Sequence, residues 1–374
     1  MKIVIFTETY KPVLNGVVTA TLNLRVALEK KGHKVYIFTS GKIEKEKNVF
    51  SCPNITISQG CGPVIPYFKE KEILKDADIY HTQQPFVLGC YAMYYAKKYN
   101  KPLVATIHTQ YHNYTHYVPV IGAGANVIVC PYLSWFFKGC DKVILLSKSL
   151  KQTLSDVYKV DTKKMELIPN SLNFTTGANL KNVAKLKKKF KLEGKRVLIF
   201  VGRIGKEKNI EFLIEAFKKI NSKDKNTFLF VVGDGPELGP MKKLVQKKNI
   251  ESIHFTGNIL NKKVFEYLSL ADLFVSSSKT ENHPITLLEA MYSSVVPVTL
   301  RTPGFVDTIS NGKDGVLVGK EDTEKYSNAV VKLLANGKLL KKMKTEAHKK
   351  AMTYDAKINI EKTISLYKSL LRKN

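Results

Sequence analysis

The chain has 374 residues, 44% of them hydrophobic, with 60 Lys and Arg against 32 Asp and Glu and a formal charge of +28. That length is too great for one ordinary α/β core and suits two, and no repeat or low-complexity tract interrupts it. The charge favours anionic partners (nucleic acid, anionic lipid headgroups or phosphorylated ligands) and carries no information about fold. Five cysteines, Cys52, Cys61, Cys90, Cys130 and Cys140, form no CxxC pair and no Cys/His cluster at zinc spacing, which fits scattered thiols in a reducing cytoplasm.

The opening Met-Lys-Ile-Val-Ile-Phe-Thr is too short an apolar run for a signal peptide and reads as a first strand. Further strands are predicted at Lys34–Thr39, Ile79–Thr82, Leu103–Ile107 and Lys142–Ser147. Helices are predicted at Val17–Lys31, Gly89–Lys98 and Lys148–Tyr158. Continuous apolar strands separated by helices imply βαβ units and a parallel sheet. Tyr117–Phe137 is uncharged and nearly long enough to span a membrane, but Pro119, Gly122, Gly124, Asn126 and Pro131 argue against a continuous helix, so no span is predicted. The turn-rich Ile168-Pro169-Asn170-Ser171 stretch marks a boundary near 170, followed by a very lysine-rich helix. The pattern then restarts, with strands at Arg196–Val201, Thr227–Gly233, Ser252–Phe255, Leu273–Ser277, Val296–Leu300 and Val316–Val318. Helices fall at Ile210–Ile220, Pro236–Lys248 and Lys262–Ser269, and the chain is helical after about 320. The fold class is therefore α/β: two doubly wound domains, 1–170 and 171–353, whose ligand sites lie at the carboxyl ends of their strands and face each other across a cleft.

The candidate chemistry sits at those strand ends. Gly16 precedes a helix in the first domain, where the absence of a Cβ and the free helix N–H groups admit a phosphate or sugar. The full GxGxxG fingerprint is absent, which counts against a simple dehydrogenase. In the second domain Gly202-Arg203 and Lys208 flank a turn above a helix start, and two cations with backbone dipoles suit a diphosphate. Gly233-Asp234-Gly235 and Gly257-Asn258 are further strand-end turns. Glu281 follows a strand and Glu289 lies on the next helix, eight residues on, a spacing that can put both on one helical face. His108 ends a strand inside a segment dense in aromatic and imidazole groups, which suits sugars or lipid headgroups. His81 holds a similar place one strand earlier. Asp76-Ala77-Asp78 matches a metal-binding DxD in form but precedes a strand, so it reads as a turn and no metal is expected.

Together, Asn15-Gly16-Val17-Val18, Gly202-Arg203 with Lys208, Gly233-Asp234-Gly235, the Glu281/Glu289 pair, Thr302-Pro303-Gly304 and Asn311-Gly312-Lys313-Asp314-Gly315 resemble the retaining nucleotide-sugar glycosyltransferases of the GT-B fold, family 4. Thr7-Glu8-Thr9-Tyr10, His81-Thr82-Gln83 and the 108–117 segment are similar to the bacterial diacylglycerol glucosyltransferases of that family. The resemblance implies that Arg203 and Lys208 hold the donor diphosphate, Glu289 binds ribose hydroxyls, Glu281 lies beside the transferred sugar and His108 contacts its hydroxyls. It extends the donor site to Gly16, Gly233, Asp234, Gly235, Asn258, Ile259, His283, Ile285 and Thr286. The acceptor would meet Tyr111, Tyr114, His116 and Tyr117, and the last helix, Tyr354–Leu371, would return to the first domain. One departure is that His283-Pro284 stands where many relatives have a glycine whose N–H binds phosphate; proline has none to give.

The implied reaction is transfer of a hexose, glucose from UDP-glucose, to 1,2-diacylglycerol at the cytoplasmic membrane face, by a peripheral enzyme needing no metal or other cofactor. The basic charge would then draw the protein to anionic lipid. The rivals are the same class acting on a glycolipid, phosphatidylinositol or a wall polymer, a nucleotide-sugar epimerase, and a nucleic-acid-binding protein. The sequence carries no recognition-helix, RNA-binding aromatic or zinc signature for the last.

Overall fold

The structure, a computed structural model, describes residues 1–13, 15–53, 64–111, 126–172, 177–319 and 321–372. The chain divides into two compact units, Met1–Ser171 with Ala356–Asn374, and Leu172–Asp355.

The first unit holds seven parallel strands: β1 (Lys2–Phe6), β2 (Lys34–Ser40), β3 (Val49–Cys52), β4 (Ile79–Thr82), β5 (Leu103–Ile107), β6 (Lys142–Leu145) and β7 (Met165–Leu167). Their order is β3-β2-β1-β4-β5-β6-β7. Side chains alternate across a strand, so a strand covered on both faces must be apolar throughout. β1 shows this directly. Val4 and Phe6 pack into a core with Phe38, Tyr80, Leu88 and Phe136, while Ile3 and Ile5 pack on the opposite face with Ile37 and Ile79. The helix Ala356–Leu371 closes that second face with Ile360, Ile364 and Tyr367, lying against the helix Gly16–Lys30.

The second unit repeats the plan with six parallel strands: β8 (Arg196–Val201), β9 (Thr227–Val232), β10 (Ile253–Gly257), β11 (Leu273–Ser276), β12 (Val296–Leu300) and β13 (Val316–Val318), ordered β10-β9-β8-β11-β12-β13. In each sheet the succession reverses beside the first strand, between β1 and β4 and between β8 and β11. Those two switch points are where doubly wound sheets open a ligand crevice.

Three sequence expectations need correction. Strands β3 and β7 were not anticipated: both are short outer strands, and β7 (Met-Glu-Leu) is only partly buried, so neither shows the apolar run of an inner strand. The apolar stretch is helical over Asn126–Lys138, straight through Pro131. Packing of Leu133, Phe136 and Phe137 into the core holds the helix where propensity alone would break it. Its other face leaves Val127, Ile128 and Trp135 exposed. Among the described residues no helix is long and apolar enough to cross a membrane.

Candidate active site

In the second unit the turns after β8 and β9 are laced together. The Gly202 N–H donates to Val232 O (3.0 Å) and the Ile204 N–H to Asp234 O (2.9 Å). Gly233 sits at φ +139, and a Cβ there would lie 1.9 Å from Gly202 O; at Gly235 it would lie 2.4 Å from Ile204 O. Only glycine allows this approach.

A short 3₁₀ turn, Lys206–Lys208, leads through Asn209 at φ 53 into the helix Ile210–Lys223. The end of β11 grips this turn: Ser277 Oγ donates to the carbonyls of Lys208 (2.9 Å) and Asn209 (2.8 Å), and Lys279 N–H to Glu207 O (2.9 Å). Across this junction Lys208 Nζ meets Glu281 Oε1 at 2.6 Å, with both side chains largely withdrawn from solvent. Arg203 Nη1 stands 3.9 Å from the buried Glu207 carboxylate. Fixed cations, glycine turns and a helix start thus share the β8/β11 switch point, an arrangement able to stabilise a diphosphate.

Glu281 is held from behind. The Gly304 N–H donates to its carbonyl (2.9 Å), and a Cβ on Gly304 would lie 2.6 Å from that oxygen. The helix that follows starts only at Ile285, with Pro284 as N-cap. This corrects the spacing argument: Glu281 lies in the loop, and only Glu289 is on the helix. Burial pushes the Glu289 carboxyl up to about 7. Ile285 is buried and Thr286 half-buried. His283 is buried with its ring 5.0 Å from that of Tyr354, and burial lowers it to about 3, so it is neutral. Asn258, exposed, and Ile259, packed on the core, follow β10 at the sheet edge, two strands from β8.

In the first unit Asn15 caps the helix Gly16–Lys30, its side chain accepting from Val18 N–H (2.9 Å). Nothing lies within 4 Å of a Cβ built on Gly16, so that helix start opens onto free space. His108 follows β5, its Nε2 2.8 Å from Gln83 Oε1, and burial lowers it to about 4, leaving a neutral imidazole. His81 is different: it is buried, with Nδ1 2.7 Å from Tyr367 Oη and Nε2 2.7 Å from Thr106 Oγ1, and so ties the last helix to the sheet. Tyr111 is half-buried, its ring 5.1 Å from Phe86. Tyr114, His116 and Tyr117 lie outside the described residues. Asp76 and Asp78 are both occupied by Lys2: Asp76 pairs with its ammonium (3.0 Å) and Asp78 accepts its backbone N–H (2.7 Å). Among the described residues no cluster of His, Cys, Asp or Glu is arranged to hold a metal.

Sequence reasoning quoted Glu8 and Gln83 only within the resemblance motifs and gave them no role, and it passed over Gln84. Glu8, buried at the end of β1, accepts from Leu88 N–H at the start of the helix Val87–Tyr99 (2.6 Å), and its own N–H donates to Gln84 Oε1 (2.7 Å). Burial raises its carboxyl to about 7. The available signal was a charged residue two positions after an apolar strand.

Two doubly wound parallel units with strand-end sites of this kind define the GT-B architecture. Solved structures share the fold across the whole chain. The Anabaena protein HepE in complex with UDP and glucose matches with a TM-score of 0.80 at 14% identity, covering 99% of this chain and all of that one. The sucrose-phosphate synthase of Thermosynechococcus elongatus matches with a TM-score of 0.80 at 18% identity over the full length of both. The family model "Glycosyltransferase Family 4" matches residues 14–175 and "Glycosyl transferases group 1" residues 182–350. The α-monoglucosyldiacylglycerol synthase of Streptococcus pneumoniae is 32% identical over 85% of this chain and 75% of its own length. That of Acholeplasma laidlawii is 28% identical over 100% and 98%. The chain belongs to glycosyltransferase family 4.

Proposed function

We propose that the protein transfers glucose from UDP-glucose, with retention at the anomeric carbon, to 1,2-diacylglycerol at an anionic membrane surface. The observation that carries the choice of acceptor is the match, over nearly the whole chain, to two α-monoglucosyldiacylglycerol synthases. Sheet topology alone would fit any nucleotide-sugar. In this reading Arg203, Lys208 and the helix starts stabilise charge on the departing diphosphate, and that diphosphate accepts the proton of the attacking hydroxyl. Glu281, engaged by Lys208, positions the cation beside the transferred sugar and forms no covalent bond. His108, neutral, contacts the sugar hydroxyls and Glu289 the ribose. The exposed Val127, Ile128 and Trp135 face of the helix Asn126–Lys138 meets the bilayer, drawn there by the +28 charge.

The test is incubation with radiolabelled UDP-glucose and anionic vesicles, with and without diacylglycerol, followed by lipid extraction. Diacylglycerol-dependent label in the lipid is expected, with Arg203→Ala and Glu281→Ala abolishing it. Label that ignores diacylglycerol refutes the acceptor. A β-configured product refutes retention. Because Pro284 offers no N–H at the helix start, other nucleotide-sugars belong in the same assay, and one that outperforms UDP-glucose replaces it.

A further inference from the structure

His81 lies on β4 with Gln83 just beyond it, and Thr106 lies on the neighbouring parallel strand β5 with His108 just beyond. Side chains two residues apart share a face of a sheet, so the two strands can present successive cross-strand pairs. Two such pairs form. His81 Nε2 meets Thr106 Oγ1 at 2.7 Å, and past it His108 Nε2 meets Gln83 Oε1 at 2.8 Å. The first pair is fixed from the helix Ala356–Leu371, whose Tyr367 Oη lies 2.7 Å from His81 Nδ1, and His81, Thr106 and Tyr367 are all buried. Gln83 is 2% exposed, and its backbone N–H donates to Phe6 O (2.9 Å), which pins it to β1.

The Gln83–His108 bond decides where the imidazole carries its proton. An amide oxygen only accepts, so the ring nitrogen facing Gln83 Oε1 is the one that bears hydrogen. A neutral imidazole has a single N–H, and its other nitrogen is then an acceptor. His108 is neutral: burial lowers it to about 4, and the described residues lining the pocket beside it include no Asp or Glu to hold a second proton. With Nε2 engaged by Gln83, Nδ1 is the remaining polar atom of the ring, and it makes no hydrogen bond among the described residues. A ligand group that meets Nδ1 must bring its own hydrogen. A hydroxyl does so, whereas a carbonyl or an ionised phosphate oxygen has none to bring.

We propose that Gln83 is a positioning residue of this enzyme: its Oε1 locks His108 in the Nε2–H form and leaves Nδ1 to accept a hydrogen bond from a ligand hydroxyl. Gln83 acts through His108 and needs no contact with the substrate. On the sugar contact proposed above, on which this last step rests, the hydroxyl belongs to the transferred sugar and donates to His108.

Proton–nitrogen NMR of the histidine rings in the full chain reads the tautomer directly, with His108→Ala assigning the signal. At about pH 7 and without ligand, wild type should show His108 in the Nε2–H form. An Nδ1–H form would mean that the amide is turned over to donate, and would overturn the proposal. Gln83→Leu, with a retained thermal transition certifying its fold, should let the two forms mix; an unchanged His108 signal counts against the lock. A double-mutant cycle separates positioning from a merely structural role. In titrations with UDP-glucose, Gln83→Leu should weaken binding ~3- to 10-fold, the worth of one hydrogen bond, and should cost nothing further in the His108→Ala background. A loss that is absent, or equal in both backgrounds, refutes action through His108. Analogues of UDP-glucose with one hydroxyl replaced by fluorine, which accepts but does not donate, then test the direction of the bond. At the hydroxyl whose contribution disappears in His108→Ala, the fluoro analogue should bind as weakly as the deoxy analogue, and one that keeps its affinity would make His108 the donor. If UDP-glucose does not bind at all, the sugar reading falls, while the lock on His108 still stands or falls by the ligand-free NMR signal.

Discussion

The pair Lys208–Glu281 couples stability to activity at a single contact. On the proposed function the cation serves a departing diphosphate, and in its absence a carboxylate only 13% exposed is left without this partner. Lys208→Met should therefore cost on the order of 2 kcal/mol in a denaturant titration, since removing one member of a buried pair strands the other charge. It should also lower kcat by about 10²–10³-fold, as for other lost transition-state donors. Adding Glu281→Gln should restore most of the stability and none of the rate. Recovery of both would make the pair purely structural. Glu289 makes a separate prediction through pH. Its carboxyl is raised from 4.5 to about 7 by burial, so the folded state binds the extra proton. Its contribution to stability is whole below about pH 4.5 and is lost as pH rises through 7. Glu289→Gln, which keeps the neutral form, should match wild type in Tm at pH 4 and exceed it at pH 8 by up to roughly 6–12 °C, since a shift from 4.5 to about 7 corresponds to about 3 kcal/mol and each kcal/mol moves Tm by about 2–4 °C in a unit of this size. An equal Tm difference at pH 4 and pH 8 would reject the assignment.

At the scale of elements, the glycine at the end of β9 is the most sharply constrained. Gly233→Ala would press a Cβ onto Gly202 O and force φ +139 on an alanine, so it should destabilise the second unit by ~3 kcal/mol or more in thermal melts, whether or not nucleotide is present. Such elements were legible in the sequence because inner strands covered on both faces must be apolar throughout, and because the strand-end glycines punctuate them. β8, β9 and β12 stand out for that reason, and so did the second sheet as a repeat of the first. The outer strands β3 and β7 were not legible, since neither carries a full apolar run. The helix through Pro131 was hidden because local propensity opposes it and distant packing through Leu133, Phe136 and Phe137 decides it. Of the candidate site, the cations and glycines were legible from their place after strands. The grip of Ser277 on the Lys208 turn and the hold of Gln83 on His108 depend on contacts 69 and 25 residues away in sequence, which no local pattern encodes.

For the whole molecule the question is what a charge of +28 does. Spread over ordinary helix faces it would give only diffuse attraction, yet one helix concentrates it and another offers an apolar face. The helix Leu180–Lys189 carries Lys181, Lys185, Lys187, Lys188 and Lys189 with no buried residue, and the helix Asn126–Lys138 presents Val127, Ile128 and Trp135 to solvent. An electrostatic contact alone should vanish with salt, since screening reaches about 8 Å at 0.15 M and each lysine near an anionic surface contributes about 1 kcal/mol. An apolar contact should persist once formed. The chain contains a single tryptophan, so the fluorescence of Trp135 reports on one face only. With phosphatidylglycerol vesicles its emission should shift to the blue and be quenched by brominated acyl chains, and Ile128→Glu should abolish both while leaving the fold intact. Neutral phosphatidylcholine vesicles should produce little of either. Binding to anionic vesicles with an unshifted Trp135 would show that lysine faces alone hold the protein at the membrane, and the helix Asn126–Lys138 would lose its assigned role.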